Sequence, residues 1–81
     1  MKKYNIEETC VGANIAKLRV AAGLSQEQLA AKLQTSGCDI SRGTLAKIEV
    51  GIRHIKISEL RAITKILNTT YDFLIDGKNT K

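Results

Sequence analysis

The chain has 81 residues, a formal net charge of +5 and a hydrophobic content of 43%. That length supports one small hydrophobic core and excludes a second domain within it. There is no proline, aromatic residues are scarce, and the apolar residues are mostly Ile, Leu and Ala, which favour packed helices over strands. We therefore predict an all-α domain at residues 10–75, after a loose segment at 1–9 and before a frayed tail at 76–81.

The positive charge is concentrated in one part of the chain. Between Ser41 and Lys65 the only acidic residues are Glu49 and Glu59, against the basic residues Arg42, Lys47, Arg53, Lys56, Arg61 and Lys65. A basic surface attracts polyanions at long range, so a polyanion is the first partner to consider.

Several other classes of function are not indicated. Cys10 and Cys38 stand alone, and His54 cannot complete a zinc ligand set with them at any known spacing. We find no nucleophile–base–acid set and no glycine-rich phosphate loop, so we expect no cofactor and no enzyme activity. No apolar run approaches the roughly 20 residues that cross a bilayer, and no signal-peptide core follows Met1, so we expect a cytoplasmic location.

The first two helices are indicated by spacing and by terminal signals. Apolar residues recur at helical spacing before Gly23, at Val11, Ile15, Leu18 and Ala22. After Gly23, Ser25 and Gln28 form a capping-box pattern, and Leu24 can pack on Leu29 as a hydrophobic staple. Helix 2 is expected from Gln26 to about Leu33, followed by a loop at 34–39 that contains Gly37.

The next three helices follow the same logic. Ser41 can cap helix 3, with Leu45 and Ile48 facing inward and Gly51 after its end. An ordered connector at 52–57 leads to Ser58, which is predicted to cap helix 4. The buried face of helix 4 is expected at Leu60, Ile63, Ile66 and Leu67. Asn68 is a plausible left-handed stop, and Thr70 can open a short fifth helix with Tyr71, Phe73 and Leu74.

Helices 2 and 3 are short, separately capped, and the second presents small and basic residues outward, which suits the major groove of DNA. The segments 19–30 and 40–51, with their continuation from Ser58 to Leu74, resemble the phage-repressor (Xre/Cro) helix-turn-helix family. The resemblance implies a five-helix lambda-repressor-like bundle in which helix 2 crosses the phosphate backbone and helix 3 enters the groove. The implied function is a sequence-specific transcriptional regulator, expected to be a repressor that binds double-stranded DNA as a homodimer.

The resemblance also assigns roles to individual residues. Base contacts are expected from the outward side of helix 3, led by Arg42, then Lys47 and Thr44, with close approach of DNA as one reading of Gly43. Phosphate contacts are expected from Ser25, Gln26, Ser41, Arg53, His54 and Lys56. Four of these residues have a plainer alternative: Ser25 as a helix cap only, Arg42 as a phosphate contact or a solvated charge, His54 as a solvated side chain, and Gly43 as a tolerated residue.

Two further positions are expected to be structural. In related proteins the positions of Arg19 and Glu49 form a partly buried ion pair that joins helix 1 to the end of helix 3. The chain departs from the family pattern at three places: a longer turn with Gln34 after Leu33, Ile57 where proline is common, and Thr64 where alanine is common. The longer turn is expected to shift helix 3 relative to helix 2.

Other functions remain open from the sequence. The runner-up is a protein-interaction module, such as a toxin-neutralising antitoxin that uses the same fold. DNA binding without sequence preference is a third possibility, which predicts equal affinity for scrambled duplexes. A dimer surface on the last helix, at Tyr71, Phe73 and Leu74, competes with a role for these residues in completing the core.

Overall fold

The computed structural model describes residues 6–76, with side chains described from Val11 to Ile75, and this part contains five helices and no strand. They are α1 (Ile6–Ala21), α2 (Gln26–Thr35), α3 (Arg42–Glu49), α4 (Ile57–Ile66) and α5 (Tyr71–Asp76). The predicted all-α, five-helix architecture is confirmed. The expected loose segment at 1–9 is corrected in part, because α1 already begins at Ile6. Residues 1–5 and 77–81 of the two predicted terminal segments lie outside the described residues.

The hydrophobic core draws on every helix. Its buried side chains are Val11, Ile15, Leu29, Ala30, Leu33, Ile40, Leu45, Ile48, Ile63 and Leu74. α1 packs against α3 and α5, α2 packs against α3 and α4, and α4 packs against α5. The Asn14 side-chain amide donates to the Leu74 carbonyl at 2.8 Å, which ties α1 to α5 beside the core. α3 is thus held between α1 and α2 with one side turned to solvent.

The predicted N-terminal caps of α2 and α3 are present. Ser25 Oγ accepts from the Gln28 N–H at 3.0 Å, and the Gln28 side chain accepts from the Ser25 N–H at 2.8 Å, which completes a capping box. Ser41 Oγ accepts from the Thr44 N–H at 3.1 Å. Because each cap satisfies N–H groups that have no partner within the helix, both helices begin where the sequence predicts.

The connection between α2 and α3 begins two residues later than predicted. α2 continues to Thr35, so Gln34 and Thr35 are helical and the connection runs over residues 36–41. Gly37 has a φ of +99°, and the Cys38 N–H donates back to the Leu33 carbonyl at 2.8 Å. This bond from a residue past a left-handed glycine is the Schellman arrangement, which fixes where the helix ends.

The start of α4 corrects another prediction. The helix begins at Ile57 with Lys56 in the cap position, so Ser58 lies inside the first turn and is not the cap. The Glu59 carboxylate accepts from the Lys56 N–H at 2.9 Å and satisfies that group. This acidic side chain in the first turn bonds the N–H of the cap residue itself, whereas a serine cap at Ser58 would accept from N–H groups two or three residues further along the helix. The predicted stop at Asn68 is confirmed by its φ of +54°.

Candidate nucleic-acid interface

The outward side of α3 carries the predicted base-contact residues. Arg42, Gly43 and Lys47 are exposed and Thr44 is half-buried, whereas Leu45, Ile48 and Glu49 are buried on the opposite side. Neither Arg42 nor Lys47 forms an ion pair within the described part of the chain. Thr44 is partly engaged, because its hydroxyl oxygen accepts from Ser41 Oγ at 3.0 Å. The helix thus presents two cations and a small residue on an exposed surface. A single α-helix fits within the major groove of DNA.

The loop after α3 places further predicted residues beside Lys47. A shallow depression is lined by Lys47, Ile52, Arg53, His54 and Lys56. The loop is fastened there by its backbone, since the Ile52 N–H donates to the Lys47 carbonyl at 2.9 Å. One predicted base contact and three predicted phosphate contacts therefore lie together as one basic cluster.

Arg53 is not simply a solvent-exposed member of this cluster. Its two terminal nitrogens donate to the two Glu59 carboxylate oxygens at 3.0 and 3.1 Å, and one also donates to the His54 carbonyl at 2.8 Å. Burial disfavours the charge on Glu59, but hydrogen bonds from Arg53 and the Lys56 N–H outweigh it and leave the pKa of Glu59 below its ordinary value. Arg53 thus braces the start of α4, a role that the sequence analysis did not assign to it.

The predicted phosphate contacts of α2 lie at its first turn. Ser25 is exposed and its oxygen is occupied by the capping bond. Gln26 is half-buried and its side-chain nitrogen donates to Glu49 Oε1 at 2.9 Å. The Gln26 amide is therefore oriented by the end of α3, which links the two helices of the motif through a side chain predicted only to contact phosphate.

Arg19 and Glu49 form an ion pair at the centre of this network. Arg19 Nε and Nη2 donate to the two carboxylate oxygens at 2.7 and 3.2 Å, and Nη1 donates to the Leu24 carbonyl at 2.8 Å. Both side chains are largely buried, at 13% and 4% exposure. The pair joins α1, the turn before α2, and the end of α3.

Two residues that matter to this arrangement were missed from the sequence. A Cβ on Gly12 would lie 2.1 Å from the Ile48 carbonyl oxygen, so only glycine allows α1 to approach the end of α3 this closely. The sequence did contain a signal for Gly12. Glycine inside a helix is about 1 kcal/mol less stable than alanine, so its presence in a helical pattern indicates a packing constraint. The second is Gln34, whose side chain donates to the Ile40 carbonyl at 2.8 Å, a contact with no sequence signal that we recognise.

Comparison with known proteins identifies the family to which this chain belongs. A family model described as Helix-turn-helix matches residues 15–74. The chain therefore belongs to the helix-turn-helix family, which confirms the family predicted from the sequence.

Two curated relatives are similar in sequence to most of this chain. It is 31% identical over 70 residues to a protein of Rickettsia conorii (strain ATCC VR-613 / Malish 7) named as an uncharacterized HTH-type transcriptional regulator, with 86% of this chain and 52% of the relative covered. A similarly named protein of Rickettsia prowazekii (strain Madrid E) is also 31% identical over 70 residues, with 86% of this chain and 50% of the relative covered. The chain thus spans about half the length of these relatives. No solved structure matches the chain.

Two other kinds of site are absent from residues 6–76. There, no group of three or more His, Cys, Asp or Glu side chains is placed to hold a metal ion. In that region, too, each helix is too short or too polar to cross a membrane.

Proposed function

We propose that this chain is the DNA-binding domain of a transcriptional regulator that recognises a specific sequence in double-stranded DNA. The observation that carries the proposal is the two-sided character of α3. Leu45, Ile48 and Glu49 anchor the helix to the core, while Arg42 and Lys47 are exposed on its outward side. A helix held rigidly by one side can bring the other side against base edges in the major groove.

In this proposal α3 is the recognition helix and the contacts divide into two groups. Arg42 is the main base contact, because a guanidinium can donate two parallel hydrogen bonds to guanine O6 and N7. Gly43, Thr44 and Lys47 complete the surface that faces the bases. Lys56, His54, Ser41 and the first turn of α2 hold the phosphates, supported by the partial positive charge at the α2 N-terminus.

The role proposed for Arg53 differs from the phosphate contact predicted from the sequence. Its guanidinium is bound to Glu59, which offsets most of its charge, so we propose that Arg53 mainly holds the basic loop in shape. Phosphate binding by the loop then depends on its shape as well as on its charge.

We further propose that the protein acts as a repressor and binds as a homodimer to two half-sites. α3 has only eight residues, and a single helix of that length contacts few base pairs, so two copies are needed for useful specificity. No contact among the described residues specifically favours the antitoxin alternative.

Selection from a random duplex pool tests the proposal. The purified chain is expected to enrich one sequence family with two-fold symmetry, and to bind the enriched duplex at least about 1,000-fold more tightly than a scrambled duplex. Mass measurement of the complex by light scattering is expected to give two chains per duplex. Enrichment without any shared sequence would contradict specific recognition, and one chain per duplex would contradict the homodimer.

A further inference from the structure

We propose that Gln34 is a positioning residue that sets how α3 is presented to DNA. The inference rests on the proposed function for its consequence, but its structural part stands on contacts within the free protein. The Gln34 side-chain nitrogen, on the last turn of α2, donates to the Ile40 carbonyl oxygen at 2.8 Å. This bond spans the connection between the two helices of the motif.

The Ile40 carbonyl has no partner within α3. The hydrogen bonds of α3 begin one residue later, where the Leu45 N–H donates to the Ser41 carbonyl at 2.9 Å. Ile40 itself is 1% exposed, so water has little access to this residue. An acceptor in such a position requires a donor, and the Gln34 amide supplies it.

The surroundings of Gln34 place it next to the expected base contact. Gln34, Ser41 and Arg42 line one cleft between α2 and α3, together with Glu27, Ala30 and Ala31. Ala30 is 3% exposed, which shows that the helices are close at the base of this cleft. The Gln34 side chain therefore joins α2 to the connection two residues before α3 begins at Arg42.

The rest of the connection is held by hydrogen bonds at its α2 end and, further along, by the Ile40 N–H, which donates to the Cys38 carbonyl at 2.9 Å. Ser36 Oγ donates to the Leu33 carbonyl at 2.8 Å, and the Cys38 N–H donates to the same oxygen at 2.8 Å. Gly37 and Asp39 are exposed. Among the described side chains, only that of Gln34 forms a hydrogen bond from α2 to the carbonyl of Ile40, the residue before the Ser41 cap. Because base contacts require placement within about 0.5 Å, loss of this bond is expected to change recognition more than folding.

The test compares four variants in pairs. Gln34→Glu keeps the size of the side chain but removes its N–H donor, and Gln34→Lys restores a donor at similar reach. Thr35→Glu and Thr35→Lys place the same charges on the next residue, which is exposed. The measured quantity is the ratio of dissociation constants for a scrambled duplex and for the duplex selected by the wild-type chain, with the thermal midpoint recorded for each variant.

Gln34→Glu is expected to lower this ratio about fivefold, the effect of one neutral hydrogen bond, while Gln34→Lys and both Thr35 variants keep it within twofold of wild type. A ratio for Gln34→Glu that matches Thr35→Glu would overturn the proposal. If Gln34→Glu does not fold, Gln34→Ala replaces it with the same expectation, because the alanine also lacks the donor.

Amide hydrogen exchange in the free protein separates this inference from the proposed function. Gln34→Glu is expected to speed exchange of the Thr44 and Leu45 N–H groups about fivefold relative to Thr35→Glu, with the Leu60 N–H of α4 as an internal reference. If the wild-type chain shows no sequence preference, the proposed function fails and exchange alone decides the role of Gln34. Unchanged exchange at Thr44 and Leu45 would overturn the positioning role whether or not DNA is recognised.

Discussion

Arg19 on α1 donates hydrogen bonds to both carboxylate oxygens of Glu49 on α3, at 2.7 and 3.2 Å. The same carboxylate accepts from Gln26 at 2.9 Å, and the same guanidinium donates to the Leu24 carbonyl at 2.8 Å. One buried ion pair thus fixes the end of α3 against α1 and against the first turn of α2. The relationship ties the orientation of the outward α3 surface to the stability of the whole domain.

Removal of the cation from this pair is expected to be costly. Arg19→Ala leaves a carboxylate that is 4% exposed without its cation, so the free energy of unfolding should fall by about 3–5 kcal/mol. The measurement is urea unfolding followed by circular dichroism. The double variant Arg19→Met, Glu49→Leu removes both charges and should recover most of the loss. A cost below about 1 kcal/mol for Arg19→Ala would mean that the pair does not hold α3 in place.

The two glycines at Gly12 and Gly43 should respond in opposite ways to alanine. Gly12→Ala places a Cβ 2.1 Å from the Ile48 carbonyl oxygen, and the forced shift should lower stability by about 1–3 kcal/mol. Gly43→Ala meets nothing nearer than Ser41 Oγ at 3.9 Å, so it should leave stability unchanged or raise it by up to about 1 kcal/mol. Thermal unfolding of both variants checks this contrast, and equal midpoints would contradict it.

Gly43→Ala also distinguishes two explanations of that residue. If DNA approaches Gly43 closely, the variant should bind the selected duplex several-fold more weakly while remaining as stable as wild type. Unchanged affinity would identify Gly43 as a tolerated residue in the first turn of the helix.

The ion pair between Arg53 and Glu59 should make stability depend on pH. The pKa of Glu59 is lowered in the folded state, so its contribution is present above the unfolded value of about 4.3 and is lost as pH falls through the folded value. Glu59→Gln should therefore reduce the free energy of unfolding by about 1–2 kcal/mol at pH 7 and by much less at pH 3. Urea unfolding at the two pH values measures this difference.

A matched variant shows whether the pH effect belongs to Glu59. Glu27→Gln alters an exposed side chain that makes no ion pair in the described part of the chain, and should change stability by less than about 0.5 kcal/mol at either pH. A Glu59→Gln cost that does not vary with pH would contradict the role assigned to its charge.

Arg42 should determine which sequence is bound. Arg42→Ala is expected to weaken binding to the selected duplex by about 1–3 kcal/mol and to relax the preference at one base position in each half-site. Arg61→Ala removes the same charge from the exposed side of α4, which packs on α2 and α5, and should leave the preference intact. Selection repeated with each variant provides the measurement. Equal weakening on all duplexes would make Arg42 a phosphate contact.

Salt should weaken binding steeply if the basic cluster holds phosphates. Log affinity falls by about 0.9 per neutralised phosphate for each unit of log salt concentration, so four contacts in the complex, two from each chain of the proposed dimer, give a loss of about 100-fold between roughly 50 and 200 mM salt. Fluorescence anisotropy titrations at several salt concentrations measure the slope. Lys56→Ala should reduce it by about one for each chain bound. An affinity independent of salt would contradict the proposed interface.

Elements whose signals are local could be predicted from the sequence. The Ser25 and Ser41 caps each bond an N–H three residues away, and the stops at Gly51 and Asn68 depend on backbone conformation at a single residue. Helix spacing likewise identified the inward faces of α3 and α4. Such signals can be recognised in the sequence because the interacting groups are neighbours along the chain. The ion pair of Arg19 and Glu49 was reached by family resemblance and not by any local rule.

Contacts between elements could not be predicted in this way, because they depend on how the helices pack. Gly12 matters because α1 crosses the end of α3 there, and Gln26 is oriented because Glu49 happens to lie within reach of its amide. Likewise, the Glu59 carboxylate accepts from both the Arg53 guanidinium and the Lys56 N–H at the start of α4. Both bonds depend on the path of the loop between Arg53 and α4. Periodicity identifies which side of a helix is buried, but not the distance or angle at which two helices meet. Those quantities follow from packing of the whole core, and they fix where Arg42 and Lys47 are presented.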